Sequence, residues 1–179
     1  LMNGIITGNS TNGADNDSDG GGVYVNGGMF KLSGGITKIK ENTKNGEANN
    51  VQITGGTLRL AGSLREEADI RITGPEPVPG AVFGSASYSP TGGAPTGAIY
   101  IQSDDETMFG IVDGSSLVWK KRSDVPVAKI SSGREFTTVQ EAVVAVEAGS
   151  SDTVTLLRNA VSDETVIVSG KVTLDLAGH

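Results

Sequence analysis

Short runs of alternating apolar and polar residues open the chain, and the same runs return further along. The segment GGGVYVNGGMFKLSG at 20–34 matches ANNVQITGGTLRLAG at 48–62, so that Val23 is equivalent to Val51, 28 positions later. Alternation with a period of two predicts short strands that bury one face. A repeat of this length is typical of a solenoid, because one unit buries its apolar face only against its neighbours.

A second, longer offset links the residues upstream of this repeat. The run Ile5–Asn9 resembles Lys38–Asn42, 33 positions later, which indicates a turn insertion within the polar stretch 11–20. We expect a third short strand near 36–39. Three short strands in a unit of about 30 residues predict one coil of a parallel β-helix, in which the hydrogen-bonded ladders run between coils.

Proline and glycine then change the pattern. Residues 74–98 contain five of the six prolines, and proline removes donors from a ladder, which predicts a long loop where the coils stop. The Asp113-Gly114 pair between two apolar runs predicts a hairpin over 111–119. We expect these strands to cover the open end of the first coils, since an uncovered coil presents unpaired backbone groups.

The apolar period becomes helical after residue 130. Apolar spacing over 136–146, a capping box of Thr138 and Glu141, and a stop at Gly149 predict an amphipathic helix over 137–148. Three strands are predicted to follow it, at 153–157, 165–168 and 171–176. The residues of the last strand that are expected to point inward are Val172, Leu174 and Leu176.

These patterns predict an all-β chain in four parts. They are the C-terminal coils of a first β-helix (1–73), a closing loop and hairpin (74–119), a linker (120–129), and a capping helix with the first coils of a second β-helix (130–179). The chain opens within a repeat and stops without a terminal cap, so we expect it to be part of a longer tandem protein.

Composition narrows the classes of function. The net charge of −7 argues against nucleic acid or an anionic membrane as a partner. No apolar run approaches the roughly 18 residues of a membrane helix, so no membrane insertion is expected in this segment. His179 is the single histidine and cysteine is absent, so neither a catalytic triad nor a zinc site can be assembled within the chain. We expect no cofactor, with calcium as the one ion to consider.

The polar insertion offers a candidate calcium site. Asp15, Asp17 and Asp19, with Gly20, match the first half of a calcium loop, in which oxygen ligands at alternate positions surround one hard cation. Asn26 stands where the full motif has glutamate. The alternative is a solvated turn insertion that holds no metal.

Two asparagines occupy equivalent turn positions. Asn9 and Asn42 predict a ladder of side-chain hydrogen bonds between coils, with a structural role. Asn50 lies just before a strand and is predicted to form a turn. The acidic runs at 66–69 and 104–106 are candidates for acid/base chemistry or for metal binding, but adjacent carboxylates on a strand point to opposite faces, which does not suit one shared site. We therefore predict that both runs are solvated.

Aromatic residues are sparse, and two of them are candidates for stacking on a sugar. Tyr24 is expected to point outward, and Trp119 lies in the predicted hairpin, where packing is the alternative. The outward positions of the aligned repeats carry no carboxylate; they are Tyr24, Lys31, Gln52 and Arg59.

The glycine-rich run GGGVYVNGGMFKLSGG resembles the repeats of right-handed parallel β-helix surface proteins of bacteria, including adhesin-like and polymorphic-outer-membrane-type proteins. The run FTTVQEAVVAVEAGSSDTVTLL, with VTLDLAGH after it, looks like the capping helix and first coils of a pectate-lyase-like β-helix. The resemblance covers about residues 1–62 and 130–179. It implies a secreted or cell-surface protein whose partners are carbohydrate or host surface molecules.

The function expected from these observations is a non-enzymatic structural or adhesive rod module of an exported bacterial surface protein. The first alternative is a fragment of a polysaccharide lyase or glycoside hydrolase, since similar openings occur in those enzymes. Such enzymes place catalytic residues on one exposed face across coils, and the missing carboxylates favour the structural hypothesis. The second alternative is a calcium-dependent binding module that uses Asp15, Asp17 and Asp19.

Overall fold

The fold belongs to the all-β class. The computed structural model describes residues 1–12, 21–87, 93–147, 152–158, 160 and 165–178. Strands make up most of the regular secondary structure of the described residues, which contain one α-helix. The chain divides into two compact units, Leu1–Arg122 and Ser123–His179, and the division falls within the stretch 120–129.

Short strands make up the first unit. In chain order they are β1 (Ile5–Thr7), β2 (Ser10–Thr11), β3 (Val23–Val25), β4 (Met29–Leu32), β5 (Lys38–Lys40), β6 (Thr43–Lys44), β7 (Glu47–Ala48), β8 (Val51–Ile53), β9 (Thr57–Leu60), β10 (Asp69–Ile72), β11 (Val82–Ala86), β12 (Ile101–Ser103), β13 (Met108–Asp113) and β14 (Ser116–Lys121). Two 3-10 turns, Ala98–Tyr100 and Arg122–Asp124, are also present.

The repeat offsets seen in the sequence are the registers of parallel strand pairs. Strand β3 pairs with β8, with Val23 opposite Val51, and β4 pairs with β9 at the same 28-residue offset. Strand β1 pairs with β5 at the 33-residue offset, with Ile6 opposite Ile39. The equivalences read from the sequence are therefore confirmed, and the third strand expected near 36–39 is β5.

Aliphatic residues stack in register to form the core of this unit. Ile39 lies opposite Ile70, and Ile70 lies opposite Ile101, along the parallel series β5, β10 and β12; all three side chains are fully buried. Leu32 and Leu60 form an equivalent buried pair between β4 and β9. Each such side chain stabilises the fold by about 1.5–3 kcal/mol, and each depends on the neighbouring strand for its cover.

The predicted hairpin is present and joins the two parallel series. Strands β13 and β14 pair antiparallel, with Asp113 opposite Ser116, and Gly114 adopts the positive φ of 58° that the tight turn requires. On one side β13 pairs with β12, and on the other side β14 pairs with β11. The result is one mixed sheet in the order β1-β5-β10-β12-β13-β14-β11-β9-β4.

The prediction of an unbroken loop over 74–98 was wrong. Strand β11 lies inside this stretch, parallel to β9 and antiparallel to β14. Its sequence, Val-Phe-Gly-Ser-Ala, contains no proline, and the prolines lie on either side of it. Phe83 and Ala86 are buried in the core, so the strand is held by partners on both edges and by its inward side chains.

The second unit contains four strands and the helix. They are β15 (Ala128–Ile130), β16 (Glu135–Phe136), α1 (Val139–Glu147), β17 (Thr153–Leu156) and β18 (Thr173–Asp175), with the sheet order β16-β15-β17-β18. The backbone N–H of Glu141 donates to Thr138 Oγ1 at 3.1 Å, which is the predicted helix cap. One face of α1 packs on the sheet through Ala142, Val143 and Val146. Gly149 lies outside the described residues.

The strand predicted at 171–176 is present as β18, but the strand predicted at 165–168 is absent, and the inward orientation predicted for two residues at 171–176 was wrong. Residues 165–168 form no strand, because the side chain of Gln140 binds the backbone of Ile167: Gln140 Nε2 donates to the Ile167 carbonyl at 3.1 Å, and the Ile167 N–H donates to Gln140 Oε1 at 2.7 Å. Leu174 was expected to point into the core but is 47% exposed, and Leu176 is also exposed. Among the described strands β18 pairs only with β17, so no further strand covers these side chains.

Candidate functional site

A column of polar side chains crosses the interior of the first unit, where the strands of successive repeats begin or end. Asn9 follows β1, Asn42 follows β5, Asn50 precedes β8, and Asp104 follows β12. Asn42 is fully buried and Asn50 is 3% exposed. Buried amides require hydrogen-bond partners, and these residues supply them to one another.

Asn42 is the centre of this column. Its Oδ1 accepts from the backbone N–H of Asn9 at 3.1 Å and from Asn9 Nδ2 at 2.9 Å. Its Nδ2 donates to the carbonyls of Ile6 and Lys40 at 3.0 and 2.9 Å, and to Asn50 Oδ1 at 3.1 Å. The structure thus brings the two predicted ladder residues, Asn9 and Asn42, into direct contact.

The column ends at Asp104. Asn50 Nδ2 donates to Asp104 Oδ1 at 2.6 Å, and Thr73 Oγ1 donates to Asp104 Oδ2 at 2.6 Å. The backbone N–H of Asn50 donates to Thr73 Oγ1 at 2.7 Å. Asp104 lies in a turn, as predicted, and Asp105 and Glu106 after it are exposed, but Asp104 itself is half-buried and hydrogen-bonded rather than solvated. Asn50 is part of the ladder as well as of the turn.

Gly22 leaves the space that this column occupies. A Cβ at this position would lie 2.6 Å from the Asn50 carbonyl oxygen and 2.8 Å from Asn42 Nδ2. Both distances are too short for any side chain. Glycine is therefore required at position 22 because the backbone packs closely against Asn42 and Asn50, as well as for the bend that precedes Val23.

Charged residues on the outward face of β5 and β10 form a connected set of ion pairs. Lys40 Nζ lies 3.5 Å from Asp69, and Arg71 Nε lies 2.6 Å from the same carboxylate. Arg71 also pairs with Glu106 at 2.8 Å, and Arg122 pairs with Glu106 at 3.2 Å. Asp69 is therefore paired within a strand, which corrects its prediction as part of a solvated run.

The pKa directions on this face favour the charged forms. Burial acts to lower the pKa of Arg71, but its hydrogen bond and attraction to Asp69, together with Glu106, hold it above the usual value. The hydrogen bond with Glu41 raises the pKa of Lys40. Donation from the Ser103 hydroxyl, reinforced by Thr107, lowers the pKa of Asp105. These groups are stabilised as ions rather than poised to exchange protons near neutral pH.

The two aromatic candidates differ in position. Tyr24 lies half-buried on β3, and its hydroxyl accepts from Thr54 Oγ1 at 3.1 Å. Trp119 is 1% exposed and stacks on Phe83, with ring centroids 4.0 Å apart. A ring buried to this extent has no face for a sugar, so the packing alternative describes Trp119.

The second unit contains a buried cation that the sequence did not single out. Arg158 is buried, and its guanidinium donates to the carbonyl of Val125 at 2.8 Å and to that of Pro126 at 3.2 Å. These bonds tie the residues after β17 to the segment before β15. The signal missed in the sequence was a lone arginine directly after an apolar strand.

The candidate calcium ligands Asp15, Asp17 and Asp19, and also His179, lie outside the described residues. Within the described ranges, no group of three or more His, Cys, Asp or Glu side chains is arranged to hold a metal ion. No helix in the described part of the chain has the length and apolar character needed to cross a bilayer. Comparison with family models, with curated proteins and with solved structures gives no match.

Proposed function

We propose that this chain is a non-enzymatic structural or adhesive rod module of an exported bacterial surface protein, and that its first unit is the end of a right-handed parallel β-helix. The observation that carries the proposal is the in-register stacking of repeats at offsets of 28 and 33 residues. Each repeat supplies strands to more than one parallel series. That is the arrangement expected when successive coils lie on one another.

The buried polar column supports a mechanical role. Asn9, Asn42 and Asn50 link strands from successive repeats by side-chain hydrogen bonds, in addition to the backbone ladders. A network in which each member is satisfied makes the stack rigid and fixes its register. A rod that holds another part of a protein away from a surface requires this kind of stability.

The second unit is proposed as the capped start of another β-helix. Strand β17 pairs parallel with β18, with Val154 opposite Leu174, and α1 covers one side of the sheet through Val143. A parallel pair joined by a crossover is the first step of a coil, and a helix at its beginning protects the core from solvent. The exposed Leu174 and Leu176 are then positions that a further coil would bury.

Hydrogen exchange of a core variant tests the rod. Val25→Asp places a carboxylate in the buried face of β3, and we expect increased exchange in β3 and in its partner β8, because the cost of a buried charge falls on neighbouring coils. Tyr24→Asp is the matched control, since the adjacent side chain points to the other face. Equal exchange in both variants, or loss of structure throughout the chain, would argue against stacked coils.

The enzymatic alternative is tested by incubating the full chain with a panel of polysaccharides, including uronic-acid polymers, and measuring new chain ends. We expect no cleavage, because Asp69 on β10 is engaged with Arg71 and Lys40, and Asp105 in the turn after β12 is engaged with Thr107. Turnover that a buffer control lacks would replace the structural role by a catalytic one.

The calcium-dependent alternative rests on one observation, the spacing of possible oxygen ligands at the alternate positions Asp15, Asp17 and Asp19. Calorimetric titration with Ca²⁺ and melting in its presence test it, with Asp17→Asn as the comparison. Neither heat nor a change in melting temperature at millimolar Ca²⁺ would remove the calcium site and leave the rod proposal intact.

A further inference from the structure

Two like charges face each other across one of the parallel ladders. Lys31 on β4 lies directly opposite Arg59 on β9. Elsewhere in the described strands, pairs of charged residues in register have opposite signs: Lys38 with Asp69, Lys44 with Glu47, and Lys129 with Glu135. Like charges directly opposite one another in a sheet destabilise it. The exception therefore needs an explanation that the stability of the fold does not provide.

Neither cation is neutralised by the described part of the chain. Lys31 and Arg59 are both exposed, and no described carboxylate lies within ion-pair distance of either. Arg59 is oriented by its Nε, which donates to Ser87 Oγ at 2.8 Å. Its terminal nitrogens have no hydrogen-bond partner among the described residues, and the residue is exposed. Three other cations of the first unit differ, because each is paired with a carboxylate: Lys40 on β5, Arg71 on β10 and Arg122 in the turn after β14.

Hydroxyl groups extend the line of Lys31 and Arg59 onto β11, the third strand of the series β4, β9 and β11. Ser85 on β11 lies opposite Arg59, and Ser87 follows two residues later. Residues in parallel register share a face, so Lys31, Arg59 and Ser85 form one line across three strands about 4.8 Å apart. We call Lys31, Arg59, Ser85 and Ser87 the basic column. It presents cations and hydroxyl groups at regular intervals, with no acidic group between them.

We infer that the basic column binds an acidic polysaccharide, whose carboxylate or sulfate groups pair with Lys31 and Arg59 and whose hydroxyl groups bind Ser85. The inference rests on the proposed adhesive role and gives it a ligand class. A guanidinium fork recognises oxyanions through paired hydrogen bonds, and lysine adds a point charge. A nucleic acid fits less well, because the column has no aromatic side chain for base stacking and the net charge is −7.

The test measures binding of the full chain to heparin, to polygalacturonate and to neutral dextran at low ionic strength. Heparin represents sulfated ligands and polygalacturonate represents carboxylated ones. The variant is Lys31→Ala with Arg59→Ala. The matched control is Lys120→Ala with Lys121→Ala, which removes the same charge from adjacent positions of β14 that point to opposite faces.

We expect the wild-type chain to bind at least one acidic polymer and not dextran. The variant should bind roughly a hundredfold more weakly, since a hydrogen-bonded contact to a charged group is worth about tenfold or more. The control should bind as the wild type does. The melting temperature of the variant should be equal or higher, because a repulsion has been removed.

Three results would overturn the inference: no binding by the wild-type chain, an equal loss in the control variant, or tighter binding to single-stranded DNA than to either polysaccharide. Each of them leaves the rod proposal standing, because that proposal is tested by hydrogen exchange. Binding with cleavage of the polymer would have the opposite effect. It would retain the ligand class and replace the non-enzymatic role.

Discussion

Replacing Asn42 by alanine tests the buried column most directly. The side chain makes hydrogen bonds to Asn9, to Asn50, and to the carbonyls of Ile6 and Lys40. Asn50 Oδ1 keeps a partner after the substitution, because the backbone N–H of residue 42 donates to it at 2.9 Å. Water can satisfy Asn9, which is exposed. The two carbonyls lose their side-chain donor, and a small cavity replaces the amide.

The expected loss of stability follows from this count. A buried polar group left without its partner costs about 1–3 kcal/mol, so two carbonyls and the cavity give a destabilisation of roughly 3 kcal/mol. Asn9→Ala removes the other member of the same contact from an exposed position and should cost about 1 kcal/mol or less. The difference in free energy of unfolding between the two variants measures how much more a buried hydrogen bond of the column contributes than an exposed one.

Urea unfolding followed by tryptophan fluorescence provides the assay. Trp119 is the single tryptophan of the chain and is buried in the first unit, so its emission reports that unit alone. The free energy of unfolding is obtained by linear extrapolation. A loss for Asn42→Ala no larger than that for Asn9→Ala would refute this expectation, because the buried bonds would then contribute nothing beyond an exposed one.

Three further substitutions have expected outcomes. Gly22→Ala should lower the melting temperature of the first unit, since a Cβ would lie 2.8 Å from the Asn42 amide; an unchanged transition would mean that the column shifts freely. Arg158→Met should destabilise the second unit by about 2 kcal/mol or more, because the bonds to the Val125 and Pro126 carbonyls are lost. The loss should be seen as faster hydrogen exchange in the second unit with unchanged tryptophan fluorescence. The pKa of Asp105 is lower in the folded chain than the value of about 3.9 in the unfolded chain, so its carboxylate stabilises the fold above about pH 3.9, and this contribution is lost as the pH falls through the folded pKa. Asp105→Asn should therefore make the free energy of unfolding depend less on pH in this acid range. An unaltered pH dependence would contradict the lowered pKa.

The parallel registers could be predicted from the sequence because their signal is local. Alternation such as Val23-Tyr24-Val25 and the glycine pairs repeat at a fixed offset, and equivalent residues of a repeat lie opposite one another when the units stack. The turn at Asp113-Gly114 was likewise predictable, since its chemistry is contained in two adjacent residues.

The errors arose where a distant partner decides the structure. Residues 82–86 form a strand because β9 and β14 lie on both sides of them, and neither partner is a neighbour in the sequence. The apolar run at 165–168 has strand propensity, but the Gln140 side chain takes the backbone groups that a ladder would need. Asp104 is drawn into the column by Asn50, 54 residues away. Propensity within a short window contains none of this information.

Different residues determine the stability of the first unit and the charge of its surface. The polar column and the stacked isoleucines bind the repeats together from within, and the ion pairs around Arg71 neutralise one outward face. Neither set includes Lys31 or Arg59, whose juxtaposition opposes folding by a small amount. Because the buried contacts stabilise the fold by much more than this repulsion costs, the two cations are tolerated. Their surface positions are then available to bind a ligand. For that reason the charge pattern of this face is better explained by a ligand than by the folding of the chain.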